Sequence, residues 1–588
     1  MTTLPLFTES FLEESHYRGQ EVRHAVSKAD SIYGVHAYHT KVPAEAIKPF
    51  LLEATRPGDL VLDPFCGSGM TGLAASQIGR RAWLGDLSPA AVHIARNYTT
   101  PCDPLSYAAA ADQLTSESAE LQQSLYGITC HGCGGAARVA YVIWSDVRGC
   151  PTCGIENRIW DHRDSGLRKL TCLHCKTPFQ KSDGPLLREE PVRINLHCPS
   201  CGRLERDPQP ADLDLADIDP ARIDAPYPRI PFDRSREMWR RGHADLGITE
   251  VADFYTPRNL WALARLWSQI ENLSDERLRD GLRFTFTAIA NRASKRYQWN
   301  AKRPTNVLGG TLYIGSLRYE FNVFDLWLRK VRAVTKLFEA TSKLASAVEA
   351  HLASATQLPL PDASIDYCFT DPPFGANIVY SDCSLLWEAW LGRLTDRASE
   401  AVVTRQLKSV DGGKDIAAYG DLMAGAFKEL RRVLKPGGRA TMVFQNTDPK
   451  VWTAVQEAIV VSGLVVESAD TLHKAQPSFK GVKAQQEGER VAATDVVLHL
   501  RSGRRLQTKR VPVWDLVWPA VLRELEVVDA AEVRRRSTGH LYAVAVAAAV
   551  GAGLPTSEIT FEMLESRLRE RFTFAEGWQS PANVNVSG

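Results

Sequence analysis

The chain has 588 residues, of which 44 % are hydrophobic and 24 % charged, and its formal net charge is +1. This composition is ordinary for a globular protein of several domains, and the near-neutral charge means that any affinity for nucleic acid must come from local basic patches. No basic flank precedes an N-terminal apolar run, and residues 541–554 are too few to cross a bilayer. Twelve cysteines without an export signal favour metal ligands over disulfides. We therefore expect a cytoplasmic protein with no membrane partner.

Residues 60–96 predict alternating strands and helices around a glycine-bearing loop. The elements are a strand at 60–63, a loop at 64–69, a helix at 71–78, a strand at 81–86 and a helix capped by Ser88 that runs to 96. Upstream, His39, Lys41 and Pro43 lead into a short helix that ends near Ala54.

The alternation then stops and resumes only at residue 348. Cysteine pairs fill 130–201, an acidic linker with prolines follows at about 207–231, and a helical stretch is predicted over about 256–343. The second block predicts strands at 348–352, 365–370, 440–445, 464–466 and 494–500, with a helix whose apolar face carries Met423, Phe427, Leu430 and Leu434. Beyond about 505 the pattern is helical, with Phe561, Leu564, Leu568 and Phe572 on one face.

This order predicts an α/β fold with a mainly parallel, doubly wound sheet that a large insertion interrupts, followed by a helical C-terminal extension. The corresponding division is 1–100 for the first part of the sheet domain, 101–345 for the insertion, 346–505 for the second part and 506–588 for the extension.

The loop after the first strand favours a positively charged cofactor. Gly67, Gly69 and Gly72 form G-x-G-x-x-G and Asp86 follows 19 residues after Gly67, which also satisfies the fingerprint of NAD and FAD enzymes. Asp63, at the strand end, would repel a pyrophosphate but attract the α-ammonium and sulfonium of S-adenosylmethionine. Asp86 suits ribose hydroxyls. S-adenosylmethionine is therefore the favoured cofactor, with a dinucleotide and a purely structural turn as alternatives.

A second stretch, Asp371-Pro372-Pro373-Phe374, ends the strand at 365–370. The two prolines stiffen the backbone and stop the hydrogen-bond ladder, so a carboxylate and an aromatic ring are held at the carboxyl end of a strand. A planar ring with an amine could stack on Phe374 while its NH₂ donates to Asp371 and to the carbonyl of Pro372. The alternative is a proline turn that only closes a strand.

The two stretches together resemble the amino-group DNA methyltransferases, and most closely the adenine-specific ones that contain a zinc ribbon. The resemblance covers roughly residues 30–505 and implies a Rossmann-like class I methyltransferase sheet. In this family the first motif binds S-adenosylmethionine, and the second holds a flipped base with Asp371, Pro372, Pro373 and Phe374. The implied cofactor residues are Asp63, Pro64, Phe65, Cys66, Gly67, Ser68, Gly69, Thr71 and Asp86, with Lys41 from the segment His39-x-Lys41-x-Pro43. The chain departs from the family at Ser354-Ala355-Thr356, where an acidic residue often lies near the cofactor's adenine.

The resemblance implies methylation of adenine N6 in DNA. Cytosine N4 stays open, as does RNA, because some tRNA guanine-N2 methyltransferases pair a similar loop with Asp-Pro-Pro-Tyr-Gly and Gly375 fits that motif. A non-catalytic, zinc-ribbon nucleic-acid-binding protein is the alternative of another class. Other subunits of a restriction or phage-defence system are implied as possible partners.

Four Cys-x-x-Cys pairs predict two structural zinc sites. Taken in sequence, Cys130, Cys133, Cys150 and Cys153 form the first quartet, and Cys172, Cys175, Cys198 and Cys201 form the second. Four thiolates leave no open coordination position, and free thiols or disulfides are the alternatives. Residues 130–203 carry 11 basic and 7 acidic side chains, and this excess (11 − 7 = +4) indicates either a phosphate-contacting surface or a merely solvated face.

Residues 277–303 form a second basic stretch with interleaved aromatic residues. Cations beside stacking rings are typical of nucleic-acid surfaces, so Asn291, Arg292, Lys295, Arg296 and Tyr297 are predicted to contact the target strand. The alternative is a helix that packs on the core with its basic residues outside.

Overall fold

The computed structural model describes residues 17–24, 32–164, 169–209, 212, 218–301, 307–344, 347–376, 378–474, 494–503, 511–528, 535–574 and 577–579. The strands in this part of the chain are β1 (Tyr17–His24), β2 (Leu60–Asp63), β3 (Arg81–Asp86), β4 (Gly127–Thr129), β5 (Ala136–Gly149), β6 (Glu156–Arg158), β7 (Leu170–Thr171), β8 (Pro178–Phe179), β9 (Leu186–Cys198), β10 (Gly202–Arg206), β11 (Leu317–Phe321), β12 (Val348–Leu352), β13 (Ile365–Thr370), β14 (Leu434–Phe444), β15 (Leu464–Lys474), β16 (Thr494–Ser502), β17 (Thr573–Phe574) and β18 (Trp578–Gln579). The helices are α1 (Ala44–Ala54), α2 (Met70–Gln77), α3 (Pro89–Thr99), α4 (Pro104–Glu117), α5 (Ala119–Tyr126), α6 (Arg241–Asp245), α7 (Pro257–Glu271), α8 (Glu276–Ala290), α9 (Val323–Thr341), α10 (Tyr380–Cys383), α11 (Leu385–Leu391), α12 (Ile416–Val433), α13 (Pro449–Ser462), α14 (Val513–Val527), α15 (Thr538–Gly551) and α16 (Phe561–Arg569).

Eight strands form a mixed sheet in the order β1-β15-β16-β14-β13-β2-β3-β12. Only β16 runs antiparallel to its neighbours in this sheet; the other pairings are parallel. The predicted α/β sheet is therefore present, and helices lie between β2 and β3, between β13 and β14 and between β14 and β15. The winding direction reverses between β2 and β13, and ligands of doubly wound sheets bind at such a reversal, at the carboxyl ends of the strands.

The insertion builds a second, antiparallel sheet in the order β10-β9-β5-β11, with β4 and β6 also paired to β5. The long strands β5 and β9 form its centre. The prediction of one helical stretch over about 256–343 was wrong in part, because β11 lies between α8 and α9 and pairs with β5. Residues 317–320 are all buried, so the strand shows no alternation of buried and exposed positions, and its hydrogen-bond partner lies more than 170 residues away in sequence. Local periodicity therefore did not reveal it.

The helices of the insertion share a hydrophobic core with the main sheet. Phe284 of α8 and Trp327 of α9 belong to the same buried cluster as Ile94 of α3 and Leu84 of β3. The insertion is thus packed onto the face of the sheet that carries α3.

The C-terminal segment is mostly helical, as predicted, but it also contains the short antiparallel pair of β17 and β18; its helices cover part of the main sheet. Residues 539–551 of α15 are all buried, and the helix lies against β15 and β16. Phe561, Leu564 and Leu568 form the buried face of α16. Among the described residues, no helix is both long enough and apolar enough to cross a bilayer.

Candidate active site and cysteine clusters

An open cleft lies where the winding reverses, beside the carboxyl ends of β2 and β13. Its empty space is about 990 Å³, open solvent included. Side chains from both halves of the chain line it, among them Tyr38, Asp63, Asp86, Asp371 and Tyr380. The two stretches singled out in the sequence therefore meet in one cavity.

The glycine loop depends on the absence of side chains at two positions. Gly67 has a φ of +49°, and a Cβ there would lie 2.7 Å from the ring of Tyr38. Gly69 has a φ of +77°, and its Cβ would lie 2.6 Å from the Cβ of Ala95 in α3. Any other residue would clash and strain the backbone, so these glycines set how closely the loop approaches the cleft and α3.

Asp63 joins the two motifs. Its carboxylate accepts hydrogen bonds from the Thr71 hydroxyl at 2.6 Å, the Thr370 hydroxyl at 2.9 Å and the backbone N–H of Phe65 at 3.2 Å. Thr370 is the last residue of β13, directly before Asp371. Burial raises the pKa of Asp63 to about 6, although the three donors favour the ionised form.

Asp86 lies at the end of β3 and holds the glycine loop in place from the neighbouring strand. It accepts from the backbone N–H groups of Gly67 at 2.8 Å and Ser88 at 2.9 Å, and Ser88 caps α3 as predicted. Burial raises the pKa of Asp86 to about 6. Two carboxyl groups with raised pKa therefore line the same cleft, where a cation would stabilise their ionised forms.

Nine of the ten predicted cofactor residues line the cleft; Gly69 lies behind the loop against α3. The ammonium of Lys41 donates to the carbonyl of Tyr33 at 2.8 Å and to the hydroxyl of Tyr98 at 3.0 Å, so it also ties the N-terminal segment to α3. Other residues that line the cleft were not among the predicted cofactor residues, including Tyr38, Thr40, Ser88, Tyr380, Thr395 and Glu400. Thr40 lies inside the segment from His39 to Pro43, Ser88 is the cap of α3 and Tyr380 begins α10, whereas Thr395 and Glu400 come from a loop without a sequence signature.

The turn after β13 is held from outside. The carbonyl of Pro373 accepts from the Tyr419 hydroxyl at 2.8 Å, and the carbonyl of Phe374 accepts from the Asn446 amide at 2.8 Å. Asp371 and Pro373 line the cleft, but Phe374 does not. Its side chain is only 6 % exposed and meets the edge of Phe444 at a centroid distance of 5.4 Å. Stacking of a base on Phe374 stays a prediction, and in this conformation the ring faces the core.

Ser354, Ala355 and Thr356 also line the cleft. The hydroxyls of Ser354 and Thr356 are 2.8 Å apart. The departure from the family pattern thus places a hydroxyl pair, rather than a carboxylate, at this end of the cavity.

The cysteines form two quartets, but the predicted grouping was wrong. The structure combines the outer pairs, Cys130 and Cys133 with Cys198 and Cys201, and the inner pairs, Cys150 and Cys153 with Cys172 and Cys175. The reason is the hairpin of β5 and β9. Antiparallel pairing brings the start of β5 beside the end of β9, so the first and last pairs meet at one end of the sheet.

The sulfur positions in both quartets fit a tetrahedral metal site. The Sγ atoms of each quartet lie within 4.8 Å of one another, with distances of 3.6 Å for Cys133–Cys198 and 3.7 Å for Cys150–Cys175 and Cys153–Cys172. Four thiolates at a Zn–S distance of about 2.3 Å would be about 3.8 Å apart, whereas a disulfide requires about 2.0 Å. This geometry favours metal ligation over disulfides.

Among the described cations of the basic stretch, Arg296 is buried, Arg292 is exposed and the others are half-buried. Arg296 is 3 % exposed and donates to the Asn291 side chain at 2.6 Å and to the carbonyls of Leu308 and Thr311, so its predicted contact with nucleic acid conflicts with its packing. The side chain of Lys295 is 15 % exposed and lies 3.9 Å from the carboxylate of Glu189.

Tyr297 meets Phe321 edge to face at a centroid distance of 4.8 Å. Among the residues predicted to contact the target strand, Arg292 is exposed. Lys302 and Arg303 lie outside the described residues.

Residues 9–97 match the family model whose description is DNA methylase. The chain is 37 % identical over 89 residues to the Type II methyltransferase M.Cfr9I of Citrobacter freundii, which is 15 % of this chain and 30 % of that protein. It is 45 % identical over 42 residues to the Type II methyltransferase M2.DpnII of Streptococcus pneumoniae, which is 7 % of this chain and 16 % of that protein. The chain thus spans less than a third of these curated relatives. The matches confirm the resemblance to DNA methyltransferases for the segment that carries the glycine loop.

Two solved structures are among the fold comparisons. A putative DNA modification methylase from Thermus thermophilus matches 32 % of this chain and 81 % of that chain at 16 % identity, with a TM-score of 0.15. Geranyl diphosphate C-methyltransferase from Streptomyces coelicolor A3(2) matches 30 % of this chain and 58 % of that chain at 10 % identity, with a TM-score of 0.14. These scores are too low to bear on function.

Proposed function

We propose that this protein is an S-adenosylmethionine-dependent DNA methyltransferase that modifies the exocyclic amine of a flipped base, with adenine N6 as the first candidate. The observation that carries the proposal is the single cleft in which the Asp63 loop and Asp371 meet, joined by the hydrogen bond from Thr370 to Asp63. The match of residues 9–97 to the DNA methylase family and the Type II methyltransferase relatives supports the same reaction class.

The residues of the cleft fit the proposed cofactor. S-adenosylmethionine is a cation without phosphate, and two partly uncompensated carboxyl groups with raised pKa suit it better than they suit a pyrophosphate. Asp63 and the glycine loop would hold its methionine part, and Asp86 its ribose. The hydroxyls of Ser354 and Thr356 would lie at the adenine end. The bound cofactor supplies an electrophilic methyl group.

The chain's own contribution to the reaction is the positioning of the base. The amine of adenine or cytosine is a poor nucleophile because its lone pair is delocalised into the ring. Asp371 and the carbonyl of Pro372 would accept the two N–H bonds and so favour a pyramidal nitrogen with an available lone pair. The fixed turn, held by Tyr419 and Asn446, keeps both acceptors in place. The base must leave the duplex to reach them, which costs a few kcal/mol of stacking.

The two cysteine quartets are proposed to bind one structural Zn²⁺ each. Closed sites of this kind stabilise small sheets that lack a large core. We assign residues 101–345 to an insertion that contacts DNA, residues 1–100 and 346–505 to the methyltransferase domain, and 506–588 to an extension. A separate endonuclease is the partner that a restriction function would require.

Asp371→Ala tests the proposed role directly. Loss of the carboxylate, one of the two proposed N–H acceptors, is expected to lower the methyl-transfer rate by about 100- to 1,000-fold, while the dissociation constant for S-adenosylmethionine stays within a factor of about three. The rate is measured as transfer of a radiolabelled methyl group to unmethylated bacterial DNA, and affinity by calorimetry. Asp421→Ala, at an exposed position of α12, is the matched control. Retained turnover in the Asp371 variant would remove this residue from its role.

A further inference from the structure

A short segment of the insertion, residues 235–240, contacts the wall of the cleft from outside. This clamp segment follows the linker and precedes α6. Its polar partners lie in the second half of the methyltransferase domain, in α10 and in the loop 395–407 that follows α11. The same two elements supply Tyr380, Thr395, Ser399, Glu400 and Ala401 to the lining of the cleft.

Glu237 is the main anchor of the clamp segment. Its carboxylate is buried and accepts hydrogen bonds from three consecutive backbone N–H groups, those of Arg405, Gln406 and Leu407, at 2.8–3.0 Å. Hydrogen bonds to an ionised acceptor are stronger than those between neutral groups. Without Glu237, the N–H groups of residues 405–407 would have to bind water, as the amides of exposed loops do. Because the buried Glu237 carboxylate, about 170 residues away in sequence, accepts from all three, it fixes this loop in one conformation.

Asp382 forms a second anchor in the opposite direction. Its carboxylate, 1 % exposed, accepts from the guanidinium of Arg236 at 3.2 Å and from the backbone N–H of Met238 at 2.8 Å. Asp382 lies in α10, two residues after Tyr380. The clamp segment is therefore tied to both elements that form this wall of the cleft.

The two elements are also tied to each other within the wall. Glu400 accepts from the backbone N–H of Ser381 at 3.0 Å and from its hydroxyl. Tyr380, next to Ser381, lies close enough to Asp371 for the charge of this carboxylate to raise the pKa of Tyr380, in addition to the larger effect of burial. A displacement of the 395–407 loop would therefore also displace Ser381 and Tyr380, and Tyr380 lies beside Asp371.

We propose that the clamp segment couples the insertion to the cleft and that Glu237 is a positioning residue for methyl transfer. The proposal rests on the proposed function. It requires that the DNA-contacting insertion and the wall around Tyr380 move as one unit, so that the base is held correctly only when residues 235–240 are anchored. Glu237 itself lies outside the lining of the cleft and touches neither substrate nor cofactor.

Glu237→Gln tests the coupling in the full-length protein. The variant keeps the size of the side chain but removes its charge and turns an NH₂ group towards the loop amides. We expect a single-turnover rate on unmethylated bacterial DNA at least about tenfold below that of the wild type, with the dissociation constant for S-adenosylmethionine changed less than about threefold. Arg240→Ala, which removes a hydrogen bond to Gln406 at an exposed position, is expected to lower the rate in the same direction but less.

Glu339→Gln is the matched control, because Glu339 is an exposed residue of α9. Wild-type rates from Glu237→Gln and Arg240→Ala would overturn the coupling. A lower rate that is accompanied by an equal fold-loss of cofactor affinity, or by a lower melting temperature, would also overturn the coupling, since this is the result of a purely structural role. Wild-type protein that binds S-adenosylmethionine but methylates no DNA would instead refute the proposed function.

Discussion

The regrouped cysteines give a prediction that distinguishes two metal arrangements by counting zinc. Cys133, Cys153 and Cys201 are exposed, so serine at these positions removes a ligand without opening a cavity in the core. In the structure Cys133 and Cys201 belong to one quartet, whereas sequence order places them in different quartets. The double variant Cys133→Ser with Cys201→Ser should therefore damage one site twice and leave the other intact.

The expected number of zinc ions per chain follows from the binding free energy of structural zinc sites. A structural Zn²⁺ contributes about 10–16 kcal/mol in small metal-dependent folds, and two missing thiolates remove the basis for tetrahedral binding. The double variant should retain one zinc per chain. The reciprocal variant, Cys133→Ser with Cys153→Ser, should retain none, because it removes one ligand from each quartet.

The assay is elemental analysis by mass spectrometry of purified protein after dialysis against a weak chelator, with protein concentration from amino-acid analysis. Wild-type protein should contain two zinc ions. The opposite pattern, none for the Cys133 and Cys201 pair and one for the Cys133 and Cys153 pair, would show that the quartets form in sequence order and would refute the hairpin geometry. A wild-type chain that folds without zinc would refute metal binding altogether.

Two further predictions concern the carboxyl groups of the cleft and the basic stretch. Burial raises the pKa values of Asp63 and Asp86 to about 6, and a cationic cofactor requires their ionised forms. Affinity for S-adenosylmethionine should therefore fall as the pH drops through 6, by up to about tenfold per pH unit for each group, and less steeply in Asp63→Asn. Calorimetry that gives a constant affinity between about pH 5 and pH 8 would contradict this. Arg292→Ala should lower the slope of the logarithm of DNA affinity against the logarithm of salt concentration by about one. Arg296→Ala should leave this slope unchanged and destabilise the fold by about 1–3 kcal/mol, because its buried acceptors lose their donor. Fluorescence titrations and thermal melts that show equal effects of both changes would contradict the assignment of Arg292 to the surface and Arg296 to the interior.

Local patterns predicted the parts of the fold in which short-range chemistry decides. The strand at 365–370 and the cap at Ser88 match the structure because their local sequences leave few alternatives: a run of mostly β-branched and aromatic residues ended by two prolines, and a serine before Pro89. The glycine loop was equally predictable. Its positive φ angles and the close approach of Tyr38 and α3 are the reason that glycine is required there.

Long-range pairing could not be derived in the same way. All four Cys-x-x-Cys pairs have the same local spacing, so only the register of β5 on β9 decides which pairs combine. Strand β1 pairs with β15, about 450 residues later, and was missed for the same reason. The sequence pattern indicates a surface cation at Arg296, but the loop carbonyls that it binds become visible only once residues 308–311 fold over it.

The most direct test of the central claim is the identity of the modified base. Wild-type protein is incubated with unmethylated bacterial DNA and S-adenosylmethionine that carries a deuterated methyl group, and the nucleosides are separated and analysed by mass spectrometry. Deuterated N6-methyladenine is the expected product, and its rate of formation should be about 100- to 1,000-fold lower with Asp371→Ala. If the label enters no exocyclic amine of DNA while the protein binds the cofactor, the cleft that joins Asp63 to Asp371 does not carry out this reaction.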